Sequence, residues 1–374
     1  MRYLVFSLLG LFTFLCSLAQ SSSHSMVNCT GMPATQAAAD SVKKGFRGLS
    51  VVNEKIIWIS GQRGLVGRSI NEGKSFVWRK VSTFEKMDFR TLHAFDKKRA
   101  MIATAGTPAA ILTTHDGGKT WSQRYFSNDS AMFFDGVGFW DNRRGLIFGD
   151  PVNGRMVLMW TDCGGGHWNP IPDSLCPKLV EGEAAFAASG TTIRTLPGGH
   201  VYIATGGAKS RLWHSRDYGF HWEVFETPIL QGKPSQGIFS MAWKDTLNGV
   251  IVGGDYLNDS LIGSNIFITT NGGVSWFAPE GKQQGYFSCV AINHLTGQIT
   301  AVGNNRIHKS NIQSVFLWTQ LVSSPTFEHE RPGFNVVSIL IQNGAIRNFY
   351  LGGKQLFVAE LEGKYDASKT PPSH

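Results

Sequence analysis

One eight-residue pattern recurs along this chain: a hydroxyl residue, any residue, Asp or Asn, any residue, Gly, any residue, a small polar residue or His, then an aromatic. The clearest copies run Thr114–Trp121, Ser215–Trp222 and Thr269–Trp276. Looser copies run Ser69–Phe76 and Thr161–Trp168, and a decayed one spans Ser310–Trp318. Each position has a physical task. The Asp or Asn carbonyl oxygen accepts hydrogen bonds from turn amides, the Gly permits positive φ, and the aromatic anchors the hairpin. Third positions are spaced by 45, 47, 54, 54 and about 41 residues. An internal repeat of that length with strand-like content predicts propeller blades.

A second register runs alongside. An aromatic opens each repeat at Phe46, Phe89, Phe134, Phe186, Phe239, Phe287 and Phe334, followed by alternating apolar residues and then a β-branched run closing on Gly, as in Ile56–Gly61 and Gly249–Gly254. Seven openings predict an all-β, seven-bladed β-propeller of four-stranded antiparallel blades. The last repeat reaches only three strands before the chain turns polar, so the segment before Phe46 is expected to supply the closing strand and hide two sheet edges. The expected organisation is a signal peptide over 1–19, a lead carrying the closing strand over 20–45, the propeller over 46–364 and a polar tail over 365–374.

Composition supports one large β domain: 374 residues with 43 Gly, 25 Phe and 11 Trp, and no long amphipathic helical pattern. The start, with Arg2, an apolar run from Leu4 to Cys16 and Ala19 before Gln20, has the form of a secretory signal, and the expected location is periplasmic or extracellular. A lipoprotein anchor at Cys16 is the competing reading, with Leu15 where a small residue is required. No later stretch has 18 consecutive apolar residues, so no membrane span is expected in the mature chain, which is read as a monomer.

Cleavage would leave Cys29, Cys163, Cys176 and Cys289. Two disulfides are permitted, Cys163 with Cys176 and Cys29 with Cys289 being one assignment and free buried thiols the alternative. The net charge of +8 points to acidic partners. The basic residues are scattered, without the continuous basic surface a nucleic acid requires, so a polypeptide or cell-envelope component is the expected partner.

With this repeat, the chain resembles the Asp-box, or BNR-repeat, β-propellers, and among them the photosystem II stability and assembly factor-like family with its exported bacterial members. The resemblance covers about Gly45 to Leu361 and is carried by the octets (third positions Asn71, Asp116, Asp217 and Asn271), by the openings Phe46-Arg47 and Asp88-Phe89-Arg90, and by the stretches Gly149–Arg155 and Gly182–Phe186. It implies a non-enzymatic assembly or docking factor without a cofactor, whose arginines near the blade openings receive an acidic polypeptide. Arg47 and Arg90 match those positions. The later openings carry Asp135, Ala187, Ser240, Ser288 and Asn335 instead.

The residues themselves nominate a binding rim. Loops after the second strand of each repeat share one face of the ring, where propellers bind ligands, and they carry Asp150, Arg211 and Asp255. The longest departure from the period, Asp173–Thr195, adds Glu183 and Arg194, which together could orient a ligand. With Arg47 and Arg90, these guanidinium groups suit bidentate capture of carboxylates. The alternative is a carbohydrate-active protein, a glycan binder with Trp213 and Tyr256 stacking on sugar rings or a glycoside hydrolase in which Asp150 and Asp255 form the acid–base pair. No histidine spacing indicates a metal site, and no Gly-rich loop stands in the strand-to-helix context of a nucleotide enzyme.

Overall fold

A computed structural model describes residues 26–31, 45–263, 265–279, 285–304, 306–312, 314–321, 334–342, 345–352 and 356–360. The expected leader, most of the lead segment and the polar tail lie outside them. Among the described residues no helix is long and apolar enough to cross a membrane.

The structure is all-β and antiparallel. The first strand is β1 (Met26–Gly31). Four-stranded units follow: β2 (Phe46–Val51), β3 (Ile57–Gly61), β4 (Leu65–Ser69) and β5 (Val77–Val81), then β6 (Phe89–Ala94), β7 (Ala100–Thr104), β8 (Ala109–Thr114) and β9 (Thr120–Ser127). Another unit comprises β10 (Phe134–Phe139), β11 (Gly145–Val152), β12 (Arg155–Thr161) and β13 (Asn169–Pro170). Two interleaved sheets come next. The short β14 (Glu183–Ala184) precedes β15 (Ile193–Leu196) and β16 (His200–Ala204), and the short β17 (Gly206–Gly207) precedes β18 (Arg211–Ser215) and β19 (Glu223–Glu226). Strands β15, β16, β18 and β19 form one sheet, while β14 and β17 join β20 (Gln236–Trp243), β21 (Gly249–Asp255) and β22 (Ile266–Thr269) in the other. Then come β23 (Phe287–Ile292), β24 (Gln298–Gly303), β25 (Arg306–Asn311) and β26 (Ser314–Leu321), and finally β27 (Phe334–Gln342), β28 (Ala345–Gly352) and β29 (Leu356–Glu360).

These strands make six sheets, so the expectation of seven blades is corrected to six. The cause is β1. It pairs antiparallel with β5 on one side (Cys29 opposite Val81) and with β9 on the other (Val27 opposite Trp121), merging the first two repeats into one nine-stranded sheet. The expected ring closure is corrected by the same pairing. Strand β1 satisfies the open outer edges of two early units rather than completing the last one, and among the described residues β27, β28 and β29 form a three-stranded sheet. First and last units instead meet through their faces. Asn335 Nδ2 donates to Phe46 O at 2.8 Å, and Phe46, Ile57 and Ile59 pack with Val336, Val337, Phe349 and Leu351.

The β-branched runs become the second strands of their units and are buried throughout, as in β3 and β21, because each is flanked by strands within its sheet and covered on its faces. The glycine closing such a run is a steric requirement: a Cβ at Gly149 would stand 1.8 Å from Phe133 O on the neighbouring chain segment. Large polar-tipped side chains stitch neighbouring units at the periphery. Trp58 Nε1 donates to Asp96 O at 3.1 Å, Trp140 Nε1 to His200 O at 2.7 Å and Tyr202 Oη to Thr246 O at 3.0 Å.

The octets fold as tight hairpins after the third strands. Thr114 Oγ1 donates to Asp116 Oδ1 at 2.9 Å and accepts from Gly118 N at 2.9 Å, while Asp116 accepts from the amides of Lys119 and Thr120 and from the Thr120 hydroxyl. Asn71, Asp217 and Asn271 likewise accept from the amides of Ser75, His221 and Ser275, and at the two asparagines Nδ2 donates to the serine hydroxyl. Gly118 has φ +80, which a residue with a Cβ rarely adopts. Trp121 closes this hairpin fully buried, edge-on to Trp58.

Candidate functional site

Six opening strands slip register by one residue just inside the aromatic end. The pairing jumps from Phe46 to Gly48, Phe89 to Thr91, Phe134 to Gly136, Ile238 to Ser240, Phe287 to Cys289 and Phe334 to Val336. The skipped residues are Arg47, Arg90, Asp135, Phe239, Ser288 and Asn335. Such a bulge leaves one residue out of the ladder and re-aims its side chain. Four of the six, Arg47, Arg90, Phe239 and Asn335, line a single cavity of about 320 Å³.

The rest of its wall is aromatic and amide. Phe186 stacks on Phe239 with centroids 3.9 Å apart, Tyr286 meets Phe239 edge-on at 4.7 Å and Tyr256 does so at 6.0 Å. Tyr256 is half exposed at the opening, and Asn304 lies beside it on the lining. Arg90 also lines a second cavity of about 330 Å³, together with Ser50, Ser189, Thr191, Arg194 and Ser338.

This mouth is electropositive. Arg90 pairs with Asp88 at 2.8 Å. Arg47 forms no ion pair among the described residues, and its hydrogen bond to Ala188 O is long, 3.5 Å. Burial, and then the neighbouring Arg90 charge, disfavour the protonated form of Arg47; Tyr286 and Asp88 oppose this. The fully buried Asp135, whose two carboxylate oxygens have no hydrogen-bond partner among the described residues, is pushed well above the usual carboxylate range by burial and then by Asp150. It therefore adds little negative charge to balance the arginines. Arg194, destabilised as a cation by burial, donates to Ile193 O at 3.2 Å and has no carboxylate partner among the described residues.

The structure thus brings Arg47 and Arg90 together and places Arg194 in the adjoining cavity. It does not pair Glu183 with Arg194. Glu183 is clasped by the Arg211 guanidinium, with Nε to Oε1 at 3.0 Å and a second contact from Nη2 to Oε2, and accepts from Thr205 Oγ1 at 2.6 Å and Val180 N at 3.1 Å. Arg211 in turn covers Trp213, which is buried and so closed to a sugar ring. Asp150 and Asp255 stand in unrelated surroundings. Asp150 accepts from Ala185 N at 3.2 Å and is raised by burial, whereas Asp255 accepts from Gln236 Nε2 at 3.1 Å and Leu257 N at 3.0 Å, bonds that outweigh desolvation and lower its pKa. Cys163, Cys176 and Cys289 are free thiols, so the Cys163–Cys176 bridge is not formed. The Cys29 side chain lies outside the described atoms.

Two parts of the site escaped the sequence reading. Phe186 and Phe239 were recognised as blade openers but not as a wall of the mouth, and Tyr286 carried no motif at all. In the fifth opening the bulged residue is Phe239 rather than Ser240, whose hydroxyl is buried between Thr191 Oγ1 and Val290 N. The described lining presents cation, amide and aromatic faces.

No family model matches the chain, and no curated protein matches it. Solved structures do. The chain is similar to YCF48 bound to D1 peptide, with TM-score 0.60 and 13% identity over 90% of this chain and 95% of that one. It is similar to YCF48 from Cyanidioschyzon merolae, with TM-score 0.55 and 13% identity over 92% and 100%. It is also similar to U3-55K, with TM-score 0.57 and 10% identity over 89% and 98%. At these identities the likeness establishes the propeller fold.

Proposed function

We propose that this protein is a non-enzymatic binding scaffold that receives an acidic polypeptide segment at the mouth formed by Arg47, Arg90 and the aromatic wall. The observation that carries the reading is Arg47, a guanidinium without an ion pair among the described residues, held beside a second arginine in a cavity walled by Phe186, Phe239 and Tyr286. A carboxylate entering there relieves the repulsion between the two cations and gains charge-assisted hydrogen bonds, while the rings accept apolar side chains of the same segment. Peptide binding on this fold is supported by the D1 peptide bound to YCF48. The reading includes an exported, monomeric mature chain, with an envelope polypeptide as partner.

The test is fluorescence anisotropy with labelled peptides in which Glu and Phe alternate, against the Arg47→Ala/Arg90→Ala double variant. Binding that weakens with salt and is lost in the double variant at unchanged melting temperature is the expected result. Equal binding by the variant, or capture of neutral glycans instead of acidic peptides, overturns it.

A further inference from the structure

The hairpin Thr161–Trp168 keeps the form of the other octets but exchanges their atoms. Where Asp116 and Asp217 accept hydrogen bonds, Cys163 stands: its Sγ lies 3.5 Å from Thr161 Oγ1 and accepts from His167 N at 3.3 Å. In the seventh place, where Thr120 and Ser275 offer hydroxyls, His167 brings Nδ1 to 3.0 Å from the sulfur. The second position adds Asp162, with Oδ1 3.8 Å from His167 Nε2. The two contacts use different ring nitrogens of His167, but with one donor atom taken from each residue the thiol, imidazole and carboxylate lie within 4.8 Å of one another, all exposed.

Gly166 keeps the space beside the sulfur clear of a side chain; a Cβ there would stand 3.2 Å from Cys163 Sγ. In a tetrahedral zinc site, bonds of about 2.0–2.3 Å place neighbouring donors roughly 3.5 Å apart. The three donors, within 4.8 Å of one another, reach that spacing by side-chain rotation on the exposed hairpin.

We propose that this hairpin binds one thiophilic divalent cation of the zinc class through Cys163, His167 and Asp162, with the remaining coordination position open to solvent. The mixed sulfur, nitrogen and oxygen set suits a borderline-soft ion over calcium or magnesium. Binding releases the Cys163 thiol proton to solvent and involves no change of oxidation state. The site lies on an outer hairpin, remote in sequence from Arg47 and Arg90, and is independent of the peptide reading.

The experiment is a Co²⁺ titration of the reduced full chain, followed by thiolate-to-cobalt charge-transfer absorption, with Zn²⁺ as competitor. One equivalent of Co²⁺ should saturate the band and Zn²⁺ should abolish it. Cys163→Ser should remove it at an unchanged melting temperature, because a hydroxyl still accepts the turn amide. His167→Ala and Asp162→Asn should each raise the half-saturating concentration by at least the ~10–100-fold seen on loss of an outer-shell partner. Absence of the band in the wild type, its persistence in Cys163→Ser, or unchanged affinity in both ligand variants overturns the assignment.

Discussion

Most repeats carry an outer hairpin and an inner bulge, and the two ends behave in opposite ways. At the outside the same atoms recur, with Asn71, Asp116, Asp217 and Asn271 accepting from equivalent amides. At the inside the bulged residue is Arg, Arg, Asp, Phe, Ser and Asn in turn. An octet side chain satisfies its own turn, so the turn dictates its identity. A bulged side chain answers to no opposite residue in the ladder, so at Arg47, Arg90, Phe239 and Asn335, which line the mouth, its identity is left to whatever enters. Uniformity here marks scaffold, and variety marks the site.

If that contrast holds, substitutions at the periphery should cost stability and leave peptide binding alone. The largest effect is expected for Trp121→Ala, which removes a fully buried ring from the cluster around Trp58 and Phe89; a loss of about 3–5 kcal/mol should appear in chemical denaturation. Acid should act on the same layer. His214 is buried, stacked on Tyr202 and 3.0 Å from His200, and burial pushes its pKa down to about 4. The unfolded chain then binds the proton more readily, so this contribution is fully present above pH ~6.5 and is lost as pH falls towards 4, by at most about 3 kcal/mol. Comparing wild type with His214→Phe across that window should show the slope flatten in the variant.

A smaller loss, about 1–2 kcal/mol, is expected for Asp116→Ala, which strands the Lys119 and Thr120 amides of one turn. Retained affinity for acidic peptides in this variant would sharpen the contrast between the two ends; lost affinity would break it. The smallest stability effect should come from Arg47→Met. Burial already disfavours its charge, so a change within about 1 kcal/mol of zero, of either sign, should accompany loss of peptide binding. A large drop in melting temperature would make Arg47 part of the scaffold.

What the sequence made legible follows the same division. Octets, β-branched runs and their closing glycines are local patterns, and they revealed the antiparallel blades, whereas Arg47 and Arg90 came forward through the resemblance to the assembly factor-like propellers. The blade count failed because β1 is placed by edges more than forty residues away from it, on β5 and β9. The bulges were invisible because the slip sits at the very start of most opening strands, after a single paired residue, where no run of alternation exists to be broken, and this hid Phe239 behind Ser240. Glu183 was assigned to Arg194 by closeness in sequence, whereas the cross-strand neighbourhood of Thr205 and Arg211 decides its partner. Cys163 read as a degenerate turn residue, since only the folded hairpin shows what stands around its sulfur.

The register slip also bears on how such a molecule changes over generations. A residue lying outside the ladder can be exchanged without shifting the strands that flank it, so each bulge is a point where recognition can drift while the sheet stays as it was. Four such points line one opening, at Arg47, Arg90, Phe239 and Asn335, so partner choice can be retooled there step by step while the sheet stays folded.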